Sequence, residues 1–268
     1  MDTGLSGKQV VITGASSGIG FETTKMFLSE GARVTGTYNS AMRELESLWD
    51  KWPNQLLPVK TDQTSESEVI SLFDQANEKF GRVDILVANA GIASHEGKAI
   101  QDMSLKQWEK TISVNLTGSF LCAKQFFVNL ERHKGDSASL ILVGSTAGVF
   151  GEAWYSDYAT SKAGMYGLMM SLKNEITHIA PKGRVNLVNP GWTITPMTED
   201  ALSEKEMVTR ILQTIPMRKT ATPHDISSAI LYLASDVLAG HVSGQVINIA
   251  GGMEGRVLFT PSEIEPVD

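Results

Sequence analysis

The sequence predicts an α/β fold in which a parallel sheet is covered by helices on both faces. Three observations carry that prediction. Short β-branched runs alternate with longer amphipathic helical patterns from one end of the chain to the other. The first run, Val10-Val11-Ile12, turns at once on Gly14, Gly18 and Gly20 into a helical pattern with Ile19, Thr23, Met26 and Phe27 on one face. The polar clusters fall where strands end, which is where ligands sit in such sheets.

Each element follows from local signals. The opening glycines, spaced Gly-x-x-x-Gly-x-Gly, permit a tight turn and aim bare N–H groups and a helix dipole at one point. A diphosphate fits there, although a tight connection without a ligand uses the same glycines. Residues 32–38 read as the second strand, followed by a helix over 41–51 that Pro53 closes. A third strand covers 56–61, and the helix over 66–79 stops at Gly81. Residues 83–87 form a fourth strand that runs into Ala88-Asn89-Ala90-Gly91, ahead of a long helix over 105–131. A fifth strand at 138–144 precedes a second long helix over 157–179. The sixth strand, 183–189, ends at Pro190-Gly191. Helices over 203–214 and 223–235 lead to a last strand at 244–249. Together these make a Rossmann-type doubly wound parallel sheet of about seven strands, with residues 1–268 as one domain.

Composition removes several function classes. A net charge of −7 leaves no basic footprint for nucleic acid or an anionic membrane. No apolar run is long enough to span a bilayer, and the N-terminus lacks the regions of a signal peptide. The single cysteine, Cys122, has no internal disulfide partner, which suits a reducing cytoplasm.

Chemistry concentrates at Tyr158 and Lys162, four residues apart at the start of a helix and so on one face. A free tyrosine titrates near a pKa of about 10 and is a poor base at neutrality. A neighbouring cation favours the phenolate, so the pair is expected to have a lowered tyrosine pKa. Such a phenol can give a proton to a carbonyl oxygen or take one from an alcohol. Ser145 ends the fifth strand at the same sheet edge, where its hydroxyl can bind the substrate oxygen.

Taken in order, Thr13-Gly-Ala-Ser-Ser-Gly-Ile-Gly20, Asn89-Ala-Gly91, Asn115, Ser145, Tyr158-x-x-x-Lys162 and Pro190-Gly191 resemble the short-chain dehydrogenase/reductase family over about residues 5–252. The resemblance implies reversible hydride transfer between a nicotinamide and a carbonyl/alcohol pair. It implies a catalytic tetrad of Asn115, Ser145, Tyr158 and Lys162. Tyr158 is then the acid/base and Ser145 polarises the carbonyl. Lys162 holds the nicotinamide ribose and depresses the tyrosine pKa, and Asn115 anchors a water that relays protons.

The resemblance also implies a coenzyme path. It runs along Gly14, Ser16, Ser17, Gly18, Ile19 and Gly20, then Tyr38, Asn39 and Ser40, then Asp62 and Gln63. It continues through Asn89, Ala90 and Gly91 to Pro190, Gly191, Thr193 and Thr195. Asp62 is similar to the residue that bonds adenine, though a loop or helix-capping acid has the same position. Asn89 braces the sheet beside the ribose. Ala88 stands where the family usually has a first Asn, and Thr193 where it has Ile or Val. Thr195 resembles the hydroxyl that meets the nicotinamide carboxamide.

An NAD-selective site places an acid at the end of the second strand to hold both ribose hydroxyls. Here Tyr38-Asn39-Ser40 has no carboxylate, and Asn39 and Ser40 can donate to a 2′-phosphate. Only Arg43 supplies a nearby cation. NADP(H) is therefore favoured, with NAD(H) the alternative.

By the same resemblance, residues 192–218 form a flap over the substrate pocket. His95, Trp154 and Trp192 are candidates for its wall, each with a plainer reading as loop or packing residue. Met165, Leu168, Met169, Leu172, Ile176 and Ile179 form a core stripe. The two long helices pair across a dimer face in the family, which implies a homodimer or homotetramer. Residues 253–268 run past its usual end. Arg256 to Phe259 are expected on a neighbouring subunit, and 261–268 frayed. The substrate is a small-molecule ketone or secondary alcohol. A 3-oxoacyl-thioester is the runner-up, and a nucleotide-binding scaffold without turnover is disfavoured because Ser145, Tyr158 and Lys162 are all present. No metal is implied.

Overall fold

The structure is a computed structural model that describes residues 2–94 and 96–264. Its frame is one parallel sheet of seven strands in the order β3-β2-β1-β4-β5-β6-β7. In chain order these are β1 (Gln9–Ile12), β2 (Arg33–Tyr38), β3 (Leu56–Lys60), β4 (Ile85–Ala88), β5 (Ser137–Val143), β6 (Lys182–Pro190) and β7 (Val246–Ile249). The order reverses between β1 and β4. That leaves a crevice beyond the carboxyl ends of the strands, where ligands sit in open sheets of this kind.

Helices cover both faces because strand residues alternate between them. Val11 faces one core with Phe73, Phe126, Met165 and Met169, while Val10 and Ile12 face the other with Phe27, Leu45, Ile226 and Ile230. The first core lies under α3 (Glu66–Phe80), α5 (Gly118–Arg132) and α7 (Ser156–Glu175). The second lies under α1 (Gly18–Ser29), α2 (Leu45–Lys51) and α10 (Pro223–Ala234). The stripe from Met165 to Ile179 is core: Met165, Met169 and Ile176 are buried, and Leu168, Leu172 and Ile179 pack against them.

Several elements differ from their sequence outlines, each for a local reason. The helix expected over 41–51 starts only at Leu45, because Arg43 takes a left-handed φ of 47°. The long helix over 105–131 is α4 (Leu105–Ile112) and α5, joined by a π-helical turn at Ser113–Thr117. That turn bulges at Asn115, whose side chain and carbonyl both bond outside the helix ladder. A short helix, α6 (Ala147–Phe150), follows Ser145. The flap carries two helices, α8 (Glu199–Ser203) and α9 (Lys205–Leu212), broken at Glu204. Helix α10 starts at a capping box, with Thr222 and Asp225 bonded reciprocally and Pro223 in the first turn. Another short helix, α11 (Asp236–Ala239), follows it.

The C-terminal segment makes contacts within its own chain. Residues 256–259 lie against the flap of their own chain, since Leu258 N–H donates to the Gln213 carbonyl at 2.8 Å. Residues 261–264 are held as well, by a single 3₁₀ turn at Pro261–Glu263 that Thr260 caps. Residues 265–268 lie outside the described residues.

Candidate active site

A cleft of about 580 Å³ runs along the carboxyl edge of the sheet. The turn from β1 into α1 forms its floor. Gly14 (φ 68°) and Gly18 (φ 55°) take the left-handed backbone that glycine tolerates best. A side chain on Gly20 would collide with the Gly14 carbonyl and come within 2.6 Å of Asn89 Nδ2. Thr37 Oγ1 accepts from Gly14 N–H at 3.1 Å, which ties β2 to the turn. Ser17 caps α1 in extended geometry with its hydroxyl unused for capping, so the helix opens onto the cleft with free donors.

Every residue of the implied coenzyme path lines this one cleft, from Gly14 through Ser16, Ser17, Ile19 and Tyr38 to Thr193 and Thr195. Asn89 holds the floor in shape, as Nδ2 donates to the Thr13 carbonyl at 2.9 Å. Thr13 Oγ1 in turn accepts from Asn89 and Ala90 N–H at 3.0 and 2.9 Å. Asp62 serves locally as an Asx-turn acid, since Oδ1 accepts from Thr64 N–H and hydroxyl at 2.9 and 2.7 Å. It also borders the cleft. The Gln63 side chain turns inward instead and donates to the Ala90 and Val114 carbonyls at 3.1 and 2.7 Å. Thr195 bonds Thr198 within the flap, and Thr193 bonds the Gly191 carbonyl.

At the far end the catalytic candidates meet. The Ser145 hydroxyl lies near enough to the Tyr158 phenol to hold down its pKa. Ser145 is itself held, because its N–H donates to Asn189 Oδ1 at 3.2 Å and its Oγ accepts from Ala147 N–H at 3.1 Å. Asn189 is buried and donates to Asn248 Oδ1 at 3.0 Å, linking β5, β6 and β7. Gly144 is required beside it, since a Cβ there would strike Asn189 Oδ1. Asn189 was not singled out from the sequence; its place one residue before Pro190, at a strand end, was the available signal.

Lys162 is buried and donates from Nζ to the Val143 carbonyl at 2.9 Å. Gly91 leaves room for it, as a Cβ there would lie 3.1 Å from Nζ and 3.2 Å from Asn115 Oδ1. Asn115 is fully buried and clamps Ile92, accepting from its N–H at 2.8 Å and donating to its carbonyl at 2.9 Å. Nδ2 also donates to Ser161 Oγ at 3.0 Å.

The electrostatics correct one expectation. The Tyr158 pKa was expected to fall under the influence of Lys162. Burial instead raises it, and the Ser145 hydrogen bond offsets only part of that rise. Nζ sits 5.8 Å from the ring centroid, and burial lowers the ammonium's own pKa to about 8. Tyr158 is therefore a neutral phenol at neutral pH, fit to donate a proton.

The pocket-wall candidates separate. Trp192 packs into the flap's own apolar cluster and is not among the cleft's lining residues. Trp154 is 65% exposed, with a left-handed φ of 67°, and lies against the loop at Gly97 rather than in the cleft. His95 lies outside the described residues. Arg43 does line the cleft beside Asn39 and Ser40, and no hydrogen bond or ion pair engages its guanidinium among the described residues. Its left-handed backbone, which no residue pattern announced, brings it there. No group of three or more His, Cys, Asp and Glu fit to hold a metal occurs among the described residues.

Comparison with known proteins agrees with this geometry. A family model described as enoyl-(acyl carrier protein) reductase matches residues 14–254. The chain is 35% identical to a 3-oxoacyl-[acyl-carrier-protein] reductase of Thermotoga maritima, over 93% of this chain and 98% of the relative. It is 33% identical to a cis-4-hydroxycyclohexanecarboxylate dehydrogenase of Sinomonas cyclohexanicum, over 94% and 98%. Among solved structures, a short-chain dehydrogenase/reductase from Brucella melitensis superposes with a TM-score of 0.83 at 30% identity, covering 92% of this chain and 96% of the other. A levodione reductase superposes with a TM-score of 0.85 at 26% identity, covering 92% and 97%.

Proposed function

The chain belongs to the short-chain dehydrogenase/reductase family of NAD(P)-dependent oxidoreductases, and we propose that it is an NADP(H)-dependent reductase of ketones, run reversibly with secondary alcohols. One observation supports this above the others: two hydroxyls, Ser145 and Tyr158, line the same end of a glycine-floored cleft that also receives Lys162. A hydroxyl pair converging on one point suits an oxygen atom. That favours a carbonyl over the carbon–carbon double bond that the family description suggests.

The residues fit the coenzyme. The α1 N-terminus and Ser17 offer donors to a diphosphate, and the missing side chains of Gly14, Gly18 and Gly20 allow close approach. When bound, the coenzyme supplies the hydride. Ser145 orients the substrate carbonyl by donating to its oxygen. Tyr158, kept protonated by burial, delivers its proton to that oxygen as charge develops there. Lys162, whose Nζ lies beside Gly91, would hold the ribose. Asn115 is a positioning residue, since its amide is committed to Ile92 and Ser161 and fixes the loop carrying Gly91.

The preference for NADP(H) rests on Arg43. Arg43 lines the cleft with Asn39 and Ser40, where residues 38–40 carry no carboxylate, and its guanidinium would meet a 2′-phosphate on the adenosine ribose. An unpaired guanidinium is the usual partner of a phosphate.

The second reading, a 3-oxoacyl-thioester reductase, is supported by the names of several relatives. The net charge of −7 and the acidic first turn of α8, Glu199 and Asp200, weigh against an acidic carrier protein. Exposed Phe120 on α5, with Tyr166 and Met170 on α7, supports a homodimer or homotetramer paired through these helices. No helix among the described residues is long and apolar enough to cross a membrane. With the lone, buried Cys122, we place the protein in the cytoplasm. A panel of ketones, alcohols and acyl thioesters, read by nicotinamide absorbance with NADPH and NADH, tests the reading. Turnover of ketones with NADPH preferred is the expected result, and absence of any turnover would refute it.

A further inference from the structure

Asp157, one residue before Tyr158, is a fully buried acid that does not line the cleft. Hydrogen bonds satisfy its carboxylate. Oδ1 accepts from Tyr158 N–H at 2.8 Å, and Oδ2 accepts from the Thr111 hydroxyl at 2.7 Å and from Gln107 Nε2 at 3.3 Å. Tyr158 N–H lies in the first turn of α7, where the helix offers it no carbonyl, so the carboxylate caps it at the positive end of the helix dipole. The bonds to Thr111 and Gln107 have a different consequence, because both cross to α4.

Four residues on, a second bond makes the same crossing. Asn115 Nδ2, in the π-helical turn after α4, donates to Ser161 Oγ at 3.0 Å, and Ser161 Oγ donates to the Tyr158 carbonyl at 2.7 Å. Thr111, Asn115, Asp157 and Ser161 are all buried. The spacing is four on each side, so the two bonds stand one turn apart, like rungs between α4 and α7. Directly after each rung comes a residue of the proposed chemistry: Tyr158 after Asp157, and Lys162 after Ser161. Just beyond, Gly164 lets the two elements close up, since a Cβ there would come within 2.8 Å of Leu116 Cδ2.

A buried carboxylate is a costly way to join two helices. Apolar side chains of similar volume often give equal or greater stability, because a charge loses its hydration on burial. Hydrogen bonds differ from apolar packing in demanding a direction. We infer that Thr111 and Asp157 are positioning residues for proton transfer. Together with the Asn115–Ser161 bond they set the rotation of α7 about its axis, and so the points at which the Tyr158 hydroxyl and Lys162 Nζ stand. The inference rests on Tyr158 as the proton donor. Rotation matters most there, because the tip of a long side chain moves farther than the backbone that carries it. A misplacement of about 1 Å can cost about 10²-fold in rate.

The test uses Thr111→Val, which keeps the shape and removes the hydroxyl, Thr111→Ser, which keeps the hydroxyl, and Asp157→Asn. With a ketone that the wild type reduces, it measures kcat, the solvent deuterium isotope effect on kcat, NADPH affinity by fluorescence, and amide exchange over residues 156–162. Thr111→Val and Asp157→Asn should lower kcat by about tenfold or more and enlarge the isotope effect, as proton transfer becomes the slower step. NADPH affinity should stay within about twofold, exchange in the first turns of α7 should quicken, and Thr111→Ser should remain within about twofold of the wild type. Wild-type kcat and isotope effect in Thr111→Val and Asp157→Asn would overturn the inference. So would a loss in Thr111→Ser equal to that in Thr111→Val, which would trace the effect to packing. If Tyr158→Phe kept a near-normal rate, or the wild type reduced no ketone, the reading of Tyr158 would fall instead. Exchange over residues 156–162 would still decide whether the rungs hold α7, and wild-type exchange in Thr111→Val would reject them.

Discussion

The floor of the cleft and its flap are built in opposite ways. The floor grows from strand ends packed between two cores, and each functional group is held by at least one buried neighbour: Ser145 by Asn189, Lys162 by Val143, Asn89 by Thr13. The flap rests on three buried residues, Ile211, Leu212 and Ile215, and borrows its cover from the chain's last turn. Chemistry demands fixed distances, and the groups proposed for it stand on the sheet, whereas the flap is held by a small satellite cluster.

The largest expected effect lies on the floor. Tyr158→Phe removes the proton donor and should lower kcat by about 10²–10⁴-fold while NADPH binding, followed by fluorescence, stays intact. A near-normal rate would end the contrast at its fixed side. The second effect separates the two regions by stability. Phe126→Ala empties the core beneath α5 and should cost about 3–5 kcal/mol in denaturant unfolding. Ile211→Ala should barely move the global midpoint yet raise exchange in α9, since the flap opens locally. Equal losses of global stability would show that the flap is part of the main cooperative unit.

A third, smaller effect concerns Lys162. Lys162→Met should weaken NADPH binding by about 10–100-fold, the loss of one charge-assisted hydrogen bond. The sign with pH follows from burial, which holds the free ammonium at about 8. Above that value the unliganded protein must take up a proton to bind. Affinity should therefore decline as pH rises past about 8, and the decline should vanish in Lys162→Met. The smallest effect is at the adenosine end. Arg43→Ala should reduce the NADPH-to-NADH ratio of kcat/KM by about tenfold, leaving NADH kinetics unchanged.

The same contrast explains what could be read in advance. The floor repeats signals that depend only on neighbours in the chain: a β-branched run, glycines at fixed spacing, a phenol and an ammonium one helical turn apart. Tyr158, Lys162, Ser145 and the glycine turn were accordingly visible in the sequence, and the structure brings them to one cleft. The direction of the Tyr158 shift was not, because burial by residues distant in the chain outweighs the charge of a close one. Asn189 escaped notice for the same reason, its partners Ser145 and Asn248 being far away in sequence. The flap was outlined only roughly, since its helices break at Glu204 and part of its cover, Ile264, comes from a stretch read as frayed. Trp192, a candidate to touch substrate, packs into that cluster instead.

The central claim is that coenzyme and hydroxyl pair act on a single carbonyl. It is tested most directly with NADPH deuterated at the transferable position of the nicotinamide, a ketone that the protein turns over, and mass spectrometry with NMR of the product. The account predicts one deuterium on the carbinol carbon and a solvent-derived hydrogen on its oxygen. Deuterium on a carbon of a reduced double bond, with the carbonyl untouched, would contradict it.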